Sequence, residues 1–192
     1  MTFVLIGNGA RNPLVARFNG GLVICGSAAC LWDDLERFGK SWDCMALNEA
    51  GVHFPDPLRH WFSAHCLRLE RWAATRWLAY DTIKGPEFDG CALHTIAKSK
   101  KEDHGFYRWP NLPVDGTSAL AAVEIAKRMG YGPIVLCGCP LDGQPHLGEP
   151  PWARVDDKFH DGTYAEVWRK AKAEGKLENV SSMSGQTREI CG

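Results

Sequence analysis

The chain of 192 residues contains no apolar run approaching the ~20 residues that a bilayer-spanning helix requires. No basic leader precedes the short apolar stretch of its opening MTFVLIGNGA, which breaks at Gly7, so neither a secretory signal nor a membrane partner is expected. There is no excess of either charge: 22 Lys and Arg offset 23 Asp and Glu, the formal charge is -1 and the pI is near 6.6. Duplex nucleic-acid binders carry a marked basic excess, so that class of partner is not expected. No Cys-x-x-Cys occurs among the eight cysteines at 25, 30, 44, 66, 91, 137, 139 and 191, which removes the paired ligands of zinc ribbons and knuckles. Cys25, Cys44, Cys91 and Cys137 lie in or beside apolar runs and read as reduced, buried small hydrophobes of a cytoplasmic protein, with no metal site. Both G-x-G-x-x-G and the P-loop signature are missing, and there is no internal repeat or low-complexity tract.

What is present is ordinary globular material, with 45% hydrophobic and 23% charged residues, in an amount that suits one domain spanning 1–192. Apolar runs at 3–6, 22–25, 44–47, 61–64, 91–95 and 134–137 are nearly continuous and not alternating, as in strands buried on both faces. Helical patterns fall between or after them at 31–38, 67–80, 118–129 and 164–174. This alternation predicts an α/β fold, a Rossmann-like three-layer domain with a mostly parallel sheet. In the helix from Ser118, Ala119, Ala122, Val123, Ala126 and Met129 form one stripe, and Gly130 supplies a left-handed stop. Gly7-Asn8-Gly9 reads as the turn of an added hairpin. Stretches 97–113 and 138–162 read as long surface or binding loops.

Three strand ends and one helix start carry the residue types that a ligand crevice needs. After 22–25, Gly26 and Ser27 with two alanines allow close backbone approach, and the next helix would aim free N–H groups at an anion. Asn48 closes the strand at 44–47, where such folds contact a ribose or base. Gly116, Thr117 and Ser118 open the alanine helix with backbone donors and two hydroxyls, a seat for phosphate or carboxylate as well as an ordinary cap. Gly138 ends the strand at 134–137, and Asp142 follows just beyond. In open α/β sheets these carboxyl ends converge on the ligand site.

Taken together, residues 22–31, Asn48 and above all GTSALAAVEIAKRMGY (116–131) followed by PIVLCGCPLD (133–142) resemble the sialyltransferase-like α/β family, which includes motility-accessory glycosylation factors, an archaeal pterin diphosphokinase and short phage-encoded chains. The resemblance implies a nucleotide or nucleotide-sugar donor as substrate, no required cofactor, and a histidine base in a late loop. His146 and His160 are similar in placement to that base, and the family's first-loop Asn-Gly-Pro-Ser is replaced here by Gly26-Ser27-Ala28-Ala29. His65, closing the strand candidate at 61–64, is a third candidate base, while His53, His60, His94 and His104 read as structural or exposed. Trp109 and Trp152, in the long loops, could stack on a sugar or base, whereas Trp72, Trp77 and Trp168 read as core. Asp33-Asp34 and Asp156-Asp157 read as solvated or dipole-favoured pairs. The expected activity is sugar transfer from a nucleotide donor. A catalytically inactive nucleotide-binding or sequestering protein and a Mg-dependent diphosphokinase are the alternatives, and oligomeric state is left open.

Overall fold

A computed structural model describes residues 4–6, 10–12, 20–54, 58–84, 91–96, 107–109, 111–112, 117–150 and 162–192. Strands β1 (Val4–Ile6) and β2 (Ala10–Asn12) pair antiparallel, as the Asn-Gly turn predicts. The rest builds on β3 (Leu22–Cys25), α1 (Leu31–Phe38), β4 (Asp43–Leu47), α2 (Ala50–His53), β5 (His60–Ser63), α3 (Cys66–Lys84), β6 (Ala92–Ile96) and β7 (Tyr107–Trp109). These are followed by α4 (Ser118–Arg128), β8 (Ile134–Cys137), α5 (Thr163–Ala173), β9 (Val180–Ser182) and α6 (Gly185–Cys191).

Seven strands form one all-parallel sheet in the order β7-β6-β5-β4-β3-β8-β9. The chain steps outward from β3 to β7, then returns to place β8 on the other side of β3. The strand order therefore reverses between β3 and β8, where helices diverge to opposite faces and leave a crevice beyond the strand ends.

The central strands are buried on both faces, which is why their sequences are continuously apolar. Leu22, Ile24, Met45 and Leu136 pack with the α4 alanines and with Trp168 of α5 on one face. Val23, Ala46, Trp61 and Val135 pack with Leu31, Ala50 and Leu69 of α1, α2 and α3 on the other. The result is a three-layer α/β arrangement of the Rossmann-like kind. Small residues on α4 let it lie close to the sheet, and Val123 and Ile125 each contribute about 1.5–3 kcal/mol by burial. Gly130 ends that helical turn at φ 88°.

Two expectations are corrected. The stretch 97–113 is not a loop throughout, because its residues 107–109 form edge strand β7 beside β6. Trp109 is not displayed for stacking on a ligand: it is 8% exposed and its indole N–H donates to His94 at 3.1 Å. Trp168 is fully buried and Trp72 packs against the core, as expected, while the Trp77 side chain lies outside the described residues, as do His104, Trp152, Asp156 and Asp157. The eight cysteines stand as free thiols, and burial pushes Cys91 up to about 12. Among the described residues, no helix is long and apolar enough to cross a membrane.

Candidate functional site

A cavity of about 420 Å³ opens at the strand carboxyl ends, beside the β3–β8 reversal. The loop after β3 contributes Gly26, Ser27 and Ala28, β8 leads into Gly138 and Leu141, and β4 into Asn48. His65 follows β5, Thr117 and Ser118 open α4, and His146 comes from the loop after β8. Of the residues picked from sequence, Gly26, Ser27, Asn48, His65, Thr117, Ser118, Gly138 and His146 thus share one cavity. Asp142 does not join them: it is exposed, outside the lining, and its carboxylate accepts from Gln144 Nε2 at 3.1 Å. Proximity in sequence to the β8 end misled, because Leu141 takes a left-handed φ of 58° and the chain turns there. Gly116 and His160 lie outside the described residues.

Gly26 and Gly138 are in contact at the reversal. A side-chain carbon on Gly26 would overlap the Gly138 carbonyl, and Gly138 itself has φ 65° with Leu31 close by. Only glycine combines that approach with that backbone.

The loop after β3 does not offer the amide cradle expected of it. The N–H groups of Gly26, Ala28 and Ala29 donate to the carbonyls of Cys137, Gly138 and Pro145 at 2.8, 3.2 and 3.1 Å. Leu147 N–H in turn donates to the Ser27 carbonyl at 2.7 Å, so the loop is strapped to the His146 segment. Within α1, buried Asp34 accepts from Gly138 N–H at 2.9 Å and Ser184 Oγ at 2.6 Å, and pairs with Arg37. Asp34 is therefore a buried staple and not a solvated surface acid. The α4 terminus is different. Thr117 Oγ1 accepts from Leu120 N–H at 3.4 Å and from the Trp168 indole at 3.1 Å, so its hydroxyl oxygen is used as a cap. The backbone N–H groups of Ser118 and Ala119, both lining the cavity, meet no acceptor among the described residues.

Asn48 sits at φ 48°, a conformation asparagine tolerates. Its Oδ1 accepts from Ser63 Oγ at 2.9 Å, its Nδ2 donates to Ser118 Oγ at 3.3 Å, and its carbonyl accepts from the Trp61 indole at 2.6 Å. The side chain thereby ties β4, β5 and α4 together at the cavity wall. His65 is exposed at the rim, its N–H donating to Ser63 Oγ at 3.0 Å and its carbonyl accepting from Leu69 N–H at the start of α3.

Glu49 escaped the sequence reading. His146 Nδ1 lies 2.6 Å from Glu49 Oε1 and also 2.6 Å from Ser27 Oγ. Glu49 directly follows Asn48 in a turn, and nothing in its spacing from His146 could have paired them. The hydrogen bond that His146 Nδ1–H donates to Glu49 holds the imidazolium form and raises His146 above its ordinary value, against the opposing effect of partial burial. Burial pulls Glu49 upward, but hydrogen bonds from His146, its own backbone and Ser27 outweigh it and leave the carboxyl below its usual range.

A serine nucleophile of the triad type needs its hydroxyl on one ring nitrogen and the carboxylate on the other. Here both meet Nδ1, so Ser27 is not activated in that way. The arrangement instead fixes the Nδ1 proton toward Glu49 and leaves Nε2 without a partner among the described residues. Such a ring can take or give a proton at Nε2. Among the described residues, no group of three His, Cys, Asp or Glu side chains is placed to hold a metal ion. Comparison with family models, with curated proteins and with solved structures finds no match to the chain.

Proposed function

We propose that the crevice binds a nucleotide or nucleotide-sugar and that the protein transfers the sugar, with His146 as the general base. One observation carries the reading. Ser118 and Ala119, whose N–H groups meet no acceptor among the described residues, and the Glu49-tied His146 line the same cavity at the point where the strand order reverses. A helix amino terminus favours an anion by about 0.3–1 kcal/mol, and by up to ~2 in partly buried settings. The donor's phosphate would sit at Ser118 and Ala119, where developing charge on the leaving group meets fixed dipoles. His146 would take the acceptor proton at Nε2, the hydrogen bond to Glu49 having raised its basicity. The resemblance of 116–142 to the sialyltransferase-like family points to the same donor class.

Calorimetry with CMP, UDP, GDP and ADP and their sugar conjugates, with and without Mg2+, tests this. At least one ligand is expected to bind, with affinity falling several-fold in Ser118→Pro, which lacks one of the two donors. His146→Ala is expected to leave binding within about threefold while abolishing transfer or donor hydrolysis. No binding of any donor would overturn the reading. Binding without turnover in the unmodified protein would instead favour a sequestering role, and strict Mg2+ dependence the diphosphokinase.

A further inference from the structure

Away from the crevice, under the face covered by α4, the sheet holds a second polar cluster. The Trp109 indole N–H donates to His94 Nδ1 at 3.1 Å, and His94 Nε2 lies 3.0 Å from His60 Nδ1. His60 Nε2 lies 2.9 Å from Tyr131 Oη, and the Tyr131 hydroxyl donates to Asp43 Oδ2 at 2.8 Å. His60, His94, Trp109 and Tyr131 are all buried.

The two ends of this run fix the direction of every bond in it. An indole can only donate, so His94 Nδ1 is bare and its proton is on Nε2. That proton must point at His60 Nδ1, which places the His60 proton on Nε2, toward the tyrosine oxygen. The tyrosine proton goes to the carboxylate, which only accepts. No acceptor remains for one more proton. A proton added to His94 Nδ1 would face the indole N–H, and one added to His60 Nδ1 would face the His94 N–H. Exchange of tautomers gives no escape, because the indole has no accepting form.

We propose that this hydrogen-bonded run is an acid-sensitive latch on edge strand β7, and that protonating either histidine breaks it and releases β7 from β6. Among the described residues, nothing around the two rings holds an imidazolium. Arg59 adjoins His60 and opposes its charge, Tyr107 of β7 stacks on His94 with ring centroids 5.3 Å apart, and the buried residues of α4 are all apolar. On the opposite face, α3 carries buried Arg76. The negative charge in the cluster, Asp43, reaches only the far end, through Tyr131. Burial accordingly pushes His60 down to about 3 and His94 well below its ordinary value. β7 has only three residues, and its Trp109 stands opposite Ile96, which lines the crevice. The latch would thus reach the crevice wall at Ile96 by a route separate from the Glu49–His146 pair.

Amide hydrogen exchange between pH 7 and 5.5, corrected for the intrinsic pH dependence of exchange, tests the latch. Protection across Tyr107–Trp109 is expected to fall tenfold or more. In His60→Gln/His94→Gln that fall is expected to vanish, since each glutamine accepts and donates in the same sense as the imidazole it replaces but cannot take a proton. Unchanged protection of β7 in the unmodified protein, or a fall that persists in the glutamine variant, would overturn the proposal. Should that variant fail to fold, imidazole nitrogen shifts decide: neutral Nε2–H rings in the closed protein at pH 5.5 support the latch, and an imidazolium beneath a protected β7 sinks it.

Discussion

A buried carboxylate is tolerated only where its lone pairs are used, and Asp34, with 0% exposure, meets that condition through Gly138, Ser184 and Arg37. Asp34→Ala leaves the Gly138 N–H and the Ser184 hydroxyl short of an acceptor, at about 1–3 kcal/mol for each group left unpaired. The urea midpoint is expected to drop with an unchanged slope, and Asp34→Asn, which keeps one acceptor, to drop less. Glu49 works on chemistry and not on the core. In Glu49→Gln the charge that holds the His146 imidazolium is gone, so the His146 pKa is expected to fall toward 6.5, read from the ring resonances against pH. A His146 titration unchanged by the substitution would remove Glu49 from the site. Neither acid was legible in the sequence. Asp34 is one of two adjacent acids in the first turn of α1, and only the approach of β8 and of the segment before α6 selects it. Asn48 and Ser118 could be read because strand ends and helix starts are marked by local residue types, whereas His146 entered only as one of two late-loop histidines that the family resemblance implied. Glu49 could not be read, since its partner lies on a distant loop.

Elements marked by their own sequence were legible and those defined by a neighbour were not. The helix over 31–38 and the strands at 22–25 and 134–137 have the bounds expected, because apolar periodicity and glycine stops act locally. β7 and β9, of three residues each, carry too little pattern to distinguish them from loop, and only pairing with β6 and β8 makes them strands. The same limit applies to the loop after β3. Its small residues announced close approach, but the partner that approaches is the β8 loop and not an anion. Gly138→Ala tests that contact. The new carbon would stand 2.8 Å from Leu31 Cβ and 2.9 Å from the Gly26 carbonyl, on a backbone of φ 65°. Overpacking costs typically about 1–3 kcal/mol and a left-handed non-glycine residue roughly 1–2 more. Thermal unfolding is expected to show the loss, whereas Gly148→Ala, at φ 79° but with nothing near its added carbon, is expected to show the backbone part alone.

For the molecule as a whole, acid acts through groups that pull in opposite senses, and burial decides between them. His60 and His94 have folded pKa values below the unfolded value of about 6.5, so the unfolded chain takes up protons first. Their stabilising effect is full above pH 6.5 and is lost as pH falls below it, down to about 3 for His60. Each histidine contributes a slope of about 1.4 kcal/mol per pH unit across that window. Glu49, with a lowered value, adds stability that is present above about 4.5 and lost at lower pH. His146, with a raised value, does the reverse: its contribution is full below about 6.5 and fades as pH rises through its folded pKa. Its side chain is 42% exposed and that of Glu49 27%, so solvent screens this pair and its effect is small. The two buried imidazoles therefore dominate. Urea titrations across a pH series are expected to show stability nearly level above pH 7 and falling steeply from pH 6.5 to 4.5, with close to two protons taken up on unfolding. In His60→Gln/His94→Gln that slope should flatten to what the carboxylates supply. A slope already flat in the unmodified protein would mean that the two imidazoles are charged inside the fold, against the bond directions that Trp109 and Asp43 impose on them.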